Sequence, residues 1–148
     1  MTIERIPPEQ QLPAHYLKYY GIEMSISGRV TTNSQIWRVV FELLSNCSEN
    51  RIRESDAHPT KIDVTFEPGK VTVEDNFVYQ NPEAVLQNIL SIRDSGRPQT
   101  TRSPDNDGLR LGGAGIFTSV KILKELNGSL NYHIKAGTIV AVGTWKEV

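Results

Sequence analysis

The chain has 148 residues, enough for one domain with a sizeable core and too few for two. Its residues are 38% hydrophobic and 22% charged, with a formal net charge of -1, an ordinary balance for a soluble globular protein without the basic field that nucleic acid would need. No apolar run approaches a membrane span or a signal-peptide core, and the single cysteine, Cys47, excludes an internal disulfide, so the expected setting is a reducing cytoplasm.

Residues 1–14 hold Pro7, Pro8 and Pro13 among Glu and Gln, a composition that suits an extended arm rather than a packed element. In HYLKYYGIEMSIS, from His15 to Ser27, Leu17 and Tyr20 could close a short helix. Ile22, Met24 and Ile26 then alternate with Glu23 and Ser25 as in a half-buried strand.

The stretch from Asn33 to Asn50 predicts an amphipathic helix. At about 100° per residue, Ile36, Val39, Val40, Leu43, Leu44 and Cys47 form one apolar band. Thr31, Thr32, Asn33 and Ser34 can all cap its start. Glu42, Asn46 and Glu49 fall beside the band, so a carboxylate and a carboxamide stand one turn apart at the boundary of the core. Two readings are open: a solvated helix flank, or a site where the Asn46 carbonyl binds a hard cation and Glu42 accepts a proton. Cys47 on the apolar face reads as a small hydrophobe, and no histidine has a partner spaced for zinc.

The polar run RIRESDAHP predicts a connection. Ile62, Val64 and Phe66 then alternate with polar residues, Glu67-Pro68-Gly69-Lys70 makes a turn, and Val71 and Val73 resume the alternation. This hairpin delivers Glu74-Asp75-Asn76 at its far end, as either an Asp turn or part of a site. Asn81-Pro82-Glu83 marks the start of a second amphipathic helix, which carries Ala84, Val85, Leu86, Ile89, Leu90 and Ile92 and ends near Arg93.

From Asp94 to Leu111 little can be buried, and a long structureless loop of functional kind is expected. Asp105-Asn106-Asp107-Gly108 opens like a calcium loop, but no bidentate Glu follows at the needed spacing, so calcium is not expected. Leu111-Gly112-Gly113-Ala114-Gly115-Ile116 leads into a third helix with Val120, Leu123 and Leu126, stopped at Asn127-Gly128. A glycine-rich turn opening a helix suits anions, although close packing or a hinge explains such glycines equally well. Ser129 to Lys135 and Thr138 to Trp145 form a last hairpin around Ala136-Gly137, with Ile139 and Val142 directed to the core. The order of elements predicts an α/β two-layer sandwich, with a mixed, mainly antiparallel sheet covered on one face by helices.

Several of these segments together resemble a known superfamily. Glu42-Leu43-Leu44-Ser45-Asn46-Cys47 resembles the N box of the GHKL ATPases, which include histidine kinases, DNA gyrase, Hsp-type chaperones and mismatch-repair ATPases. Val73-Glu74-Asp75-Asn76 resembles the following box, Gly113-Ala114-Gly115 with Val120-Lys121 the glycine box at the end of the ATP lid, and Ala136-Gly137-Thr138 the closing Gly-Thr strand. The resemblance covers residues 22 to 145 and implies the Bergerat fold over 15–148, with an ATP lid at about 94–112.

It also implies ATP and Mg²⁺ as cofactors. Asn46 would coordinate the ion, and Glu42 would orient or deprotonate water in a hydrolase or support the site in a kinase. Asp75 would accept from the adenine amino group with Thr138 behind it, and Gly113 and Gly115 would let the backbone close over the phosphates. Arg93, Arg97, Arg102 and Arg110 are candidates for the γ-phosphate, or else solvated loop arginines. The sequence departs from the family at Phe77 and Tyr79, where glycines are usual, and the aromatic rings there are expected to narrow or reshape the pocket beside the base. Gly115-Ile116-Phe117-Thr118 likewise replaces the usual Gly-Leu-Gly-Leu run.

The N-box segment and VEDN read closest to the histidine-kinase branch, which implies phosphoryl transfer to a protein side chain. His15, in Ala-His-Tyr-Leu, fits a phosphoacceptor poorly. The expected acceptor is therefore a separate protein, as for stand-alone kinases that regulate sigma factors, and a homodimer is an open expectation. The alternatives are a GHKL ATPase driving a conformational cycle, and an interaction module that has lost ATP.

Overall fold

The computed structural model describes residues 24–55, 61–95, 99–101, 110–112 and 114–147. Expectations for the arm at 1–14, the short helix around Leu17 and Tyr20, the lid residues Arg97 and Arg102, and Gly113 lie outside those residues. In chain order the elements are β1 (Met24–Gly28), α1 (Ser34–Ser55), β2 (Ile62–Glu67), β3 (Lys70–Asp75), α2 (Pro82–Ser95), β4 (Gln99–Thr101), β5 (Arg110–Gly112), α3 (Ala114–Glu125), β6 (Ser129–Lys135) and β7 (Thr138–Thr144).

Five strands form one sheet in the order β1-β2-β3-β7-β6. β1 runs parallel to β2, and the other neighbours are antiparallel. A parallel neighbour requires a crossover, which α1 supplies between β1 and β2. Period-two alternation decides what the sheet buries: Ile62, Val64 and Phe66 in β2 and Val71, Val73 and Asp75 in β3 face inward, while Asp63 and Glu67 are exposed. α1 packs on β3 and α3, α2 on β6 and β7, and α3 on β6. The shared core includes Ile36, Trp37, Val40, Leu44, Phe66, Ile89, Ile116 and Leu123. Each large apolar side chain removed from water there contributes about 1.5–3 kcal/mol before the entropy of ordering is subtracted.

Helix ends follow their sequence signals. Asn33 Oδ1 accepts the backbone N–H groups of Gln35 at 2.8 Å and Ile36 at 3.3 Å, and Asn81 Oδ1 accepts that of Ala84 at 3.3 Å. At the end of α3 the left-handed residue is Asn127, with φ 61°, rather than the glycine after it. Gly128 N–H donates to Leu123 O at 2.7 Å and Asn127 N–H to Lys124 O at 3.0 Å, closing a Schellman motif.

Two expectations are revised. α1 continues to Ser55, past the boundary expected at Asn50, because Glu and Arg carry good helix propensity and the backbone ladder persists after the apolar band has ended. The stretch from 94 to 111 contains a small antiparallel ribbon, with Thr100 opposite Leu111. Strands of three residues are too short for alternation to reveal.

Candidate functional site

Asp75 is the last residue of β3 and the partner of Ile62 in the β2–β3 register, which puts its carboxylate on the inward row at 1% exposure. A buried carboxylate is costly unless donors meet it. Here Phe77 N–H donates to Oδ1 at 3.1 Å and the Tyr79 hydroxyl to Oδ2 at 3.3 Å. The Phe77 contact is an Asx turn, so the plainer reading of this Asp as a turn residue is realised alongside its placement in the core. Phe77 and Tyr79 meet edge to face, with ring centroids 4.8 Å apart. Tyr79 is buried at 3% exposure, and its N–H donates to Gly137 O at 3.1 Å. The β3 end is thereby tied to the β6–β7 turn, where Ala136 and Gly137 both have positive φ, 50° and 83°, as a two-residue hairpin of type I′ requires.

Thr138, the first residue of β7, donates its hydroxyl to Lys135 O at 2.7 Å and closes that turn. α1, which packs on β3, carries Glu42 and, one turn on, Asn46. Asn46 is among the few buried polar side chains, at 8% exposure. Glu42 Oε2 accepts from Arg38 Nε at 3.0 Å across one helical turn, an exposed pair of small energetic value. Its other oxygen, Oε1, lies against the first turn of α3: a Cβ on Gly115 would come within 2.8 Å of it and 3.2 Å of Glu42 O. Gly115 is thus the residue that lets α3 approach α1, and the N-box and glycine-box segments meet there.

Arg93 is held elsewhere. Its guanidinium donates to Leu130 O at 3.2 Å, Asn131 Oδ1 at 3.1 Å and Asp94 Oδ1 at 2.8 Å, fastening α2 to β6. Tyr132, on the same strand, has a buried hydroxyl with no hydrogen-bond partner, as does Ser119 Oγ in α3. Burial pushes the Tyr132 phenol well above its ordinary pKa of 10.0; the Cys47 thiol adds to this and the Arg93 guanidinium opposes it. Sequence reasoning missed both hydroxyls, since neither Ser119 nor Tyr132 departs from an ordinary helix or strand pattern.

Among the described residues no group of three His, Cys, Asp or Glu could hold a metal ion, and no helix is long and apolar enough to cross a membrane. A cation here would fit only with a ligand that brings its own anionic oxygens, with the Asn46 carbonyl as a neutral donor.

No protein-family model and no curated protein matches the chain. Among solved structures, a bacterial phosphotransferase aligns with a TM-score of 0.55 and 12% identity, over 88% of this chain and 58% of that one. The nucleotide-free catalytic domain of the histidine kinase ThkA aligns at 0.49 and 16%, over 90% of this chain and 84% of that one. The cytoplasmic segment of the histidine kinase QseC aligns at 0.47 and 15%, over 91% and 68%. At such identities the likeness is one of fold, and the phosphotransferase carries it. In fold the chain is a two-layer α/β sandwich with a mixed five-stranded sheet, similar to that phosphotransferase.

Proposed function

We propose that this domain binds Mg-ATP and serves as the catalytic module of a histidine-kinase-like protein kinase whose acceptor lies on a separate protein. The observation that carries this reading is the inward-facing, buried Asp75 at the end of β3, on a strand against which α1, bearing Glu42 and Asn46, is packed. A carboxylate in that position can read an exocyclic amine. Asn46 would supply a neutral oxygen to an Mg²⁺ that arrives with the phosphates, and the metal would neutralise charge during transfer. Gly113 and Gly115 would open backbone N–H groups to the phosphates, with Gly115 already against Glu42. Thr138 would support Asp75 from the β7 side. A cytoplasmic setting and a homodimer belong to the same proposal.

Calorimetry with Mg-ATP tests it: saturable binding that weakens in Asn46→Ala, with unchanged circular dichroism, is expected. Absence of heat at millimolar nucleotide would leave an interaction module that keeps the fold. The alternative is an ATPase in which Glu42 is the base that acts on water. If the protein is a hydrolase, Glu42→Ala should abolish phosphate release; if it is a kinase, radiolabelled ATP should mark a second protein instead.

A further inference from the structure

Three contacts beside Asp75 are made by one residue, Tyr79. The Tyr79 hydroxyl donates to Oδ2, the Tyr79 N–H is bonded to Gly137 O, and the ring packs edge-on against Phe77, whose N–H holds Oδ1. Tyr79 and Asp75 are both almost fully buried, at 3% and 1% exposure. We infer that Tyr79 is an intramolecular competitor for the nucleotide base: its hydroxyl stands over the Asp75 oxygen that an exocyclic amine would approach, and binding requires the phenol to move aside.

This inference rests on the nucleotide reading of the site and concerns what sets its affinity. The exchange is balanced in kind, because a phenolic O–H leaves a carboxyl oxygen and an amine N–H replaces it. The oxygen could accept from two donors, but at 1% exposure an amine reaches it only where the phenol now stands, so the complex gives up the bond that stabilises the free protein. At 3.3 Å this is a long contact for an O–H donor, whereas the 3.1 Å backbone bonds from Phe77 and Tyr79 hold the segment in place. Displacing the hydroxyl takes a change at χ1, since the oxygen lies on the ring axis, and the backbone bond to the β6–β7 turn does not depend on that angle. The net worth of one ordinary hydrogen bond is enough for this competition to cost about tenfold in affinity.

The test compares the full chain with Tyr79→Phe by calorimetry, using Mg-ATP and, separately, magnesium tripolyphosphate, which has phosphates and no base. Tyr79→Phe should bind Mg-ATP about tenfold more tightly, leave tripolyphosphate binding unchanged, and melt at a lower temperature when free, since Asp75 loses a donor. Equal ATP affinities in the two chains overturn the competition while leaving the nucleotide site standing. Equal tightening toward both ligands overturns it as well, because the effect would not lie at the base. If neither chain binds ATP, this inference falls together with the nucleotide reading. A second measurement needs no variant: in the wild type, Mg-ATP should move the phenol off the carboxylate and give a tyrosine near-ultraviolet difference signal that tripolyphosphate does not produce. Its absence at saturating ATP would also overturn the inference.

Discussion

Asp75 serves local structure at the point where the proposed function puts recognition. Its Oδ1 shapes the turn into Phe77, and its Oδ2 takes a hydroxyl that a ligand donor could replace. Asp75→Asn exchanges an acceptor-only group for one that also donates, so discrimination of ATP over GTP should fall, measured as the ratio of the two dissociation constants. Tyr132 gives a prediction about pH. Its folded-state pKa is raised, so the stabilisation from the neutral phenol is complete below the unfolded value of 10.0 and is lost as pH rises toward the folded one. Thermal stability should therefore decline above about pH 10, and Tyr132→Phe should make that decline shallower. Because the hydroxyl has no partner, the same substitution should cost little stability at neutral pH, as thermal melts would show.

The contact of α1 with α3 depends on the missing side chain at Gly115. Gly115→Ala would set a methyl group 2.8 Å from Glu42 Oε1 and 3.2 Å from Glu42 O; the carboxylate can rotate away, but the backbone carbonyl cannot. The helices must then separate, at a cost of about 1–3 kcal/mol, and the melting temperature should fall by about 3–10 °C. If Glu42 and Asn46 act on a ligand, that separation should also weaken Mg-ATP binding, measured by calorimetry. β6 and β7 act differently. Their type I′ turn fixes Gly137 O where it receives the Tyr79 N–H, so a hairpin remote in sequence holds the segment after Asp75.

The layered arrangement of the described residues, three helices packed with one five-stranded sheet, explains why a ligand held between α1 and the end of β3 would stabilise the whole layered unit. Anything that binds the folded chain alone raises its stability by mass action, about 2.7 kcal/mol at a ligand concentration 100 times Kd. Mg-ATP at that level should raise the melting temperature by about 5–10 °C, read by differential scanning fluorimetry.

Much of this architecture was legible in the amino-acid order because it rests on local physics. The caps at Asn33 and Asn81, the alternation through β2 and β3 and the apolar band of α1 all reflect backbone periodicity and the satisfaction of free N–H groups, which neighbouring residues set. The box resemblance likewise singled out Asp75, Glu42, Asn46 and Gly115. Trp37 was not placed in the band, although it is 2% exposed, because its burial depends on Phe66 from a distant strand. Nor could the sequence say that the aromatic at 79 would bond the carboxylate at 75 rather than merely narrow the space around it. That outcome needs the β6–β7 turn to hold the Tyr79 backbone and the core to close over its ring, and such long-range contacts arise only when strands far apart in the chain pair.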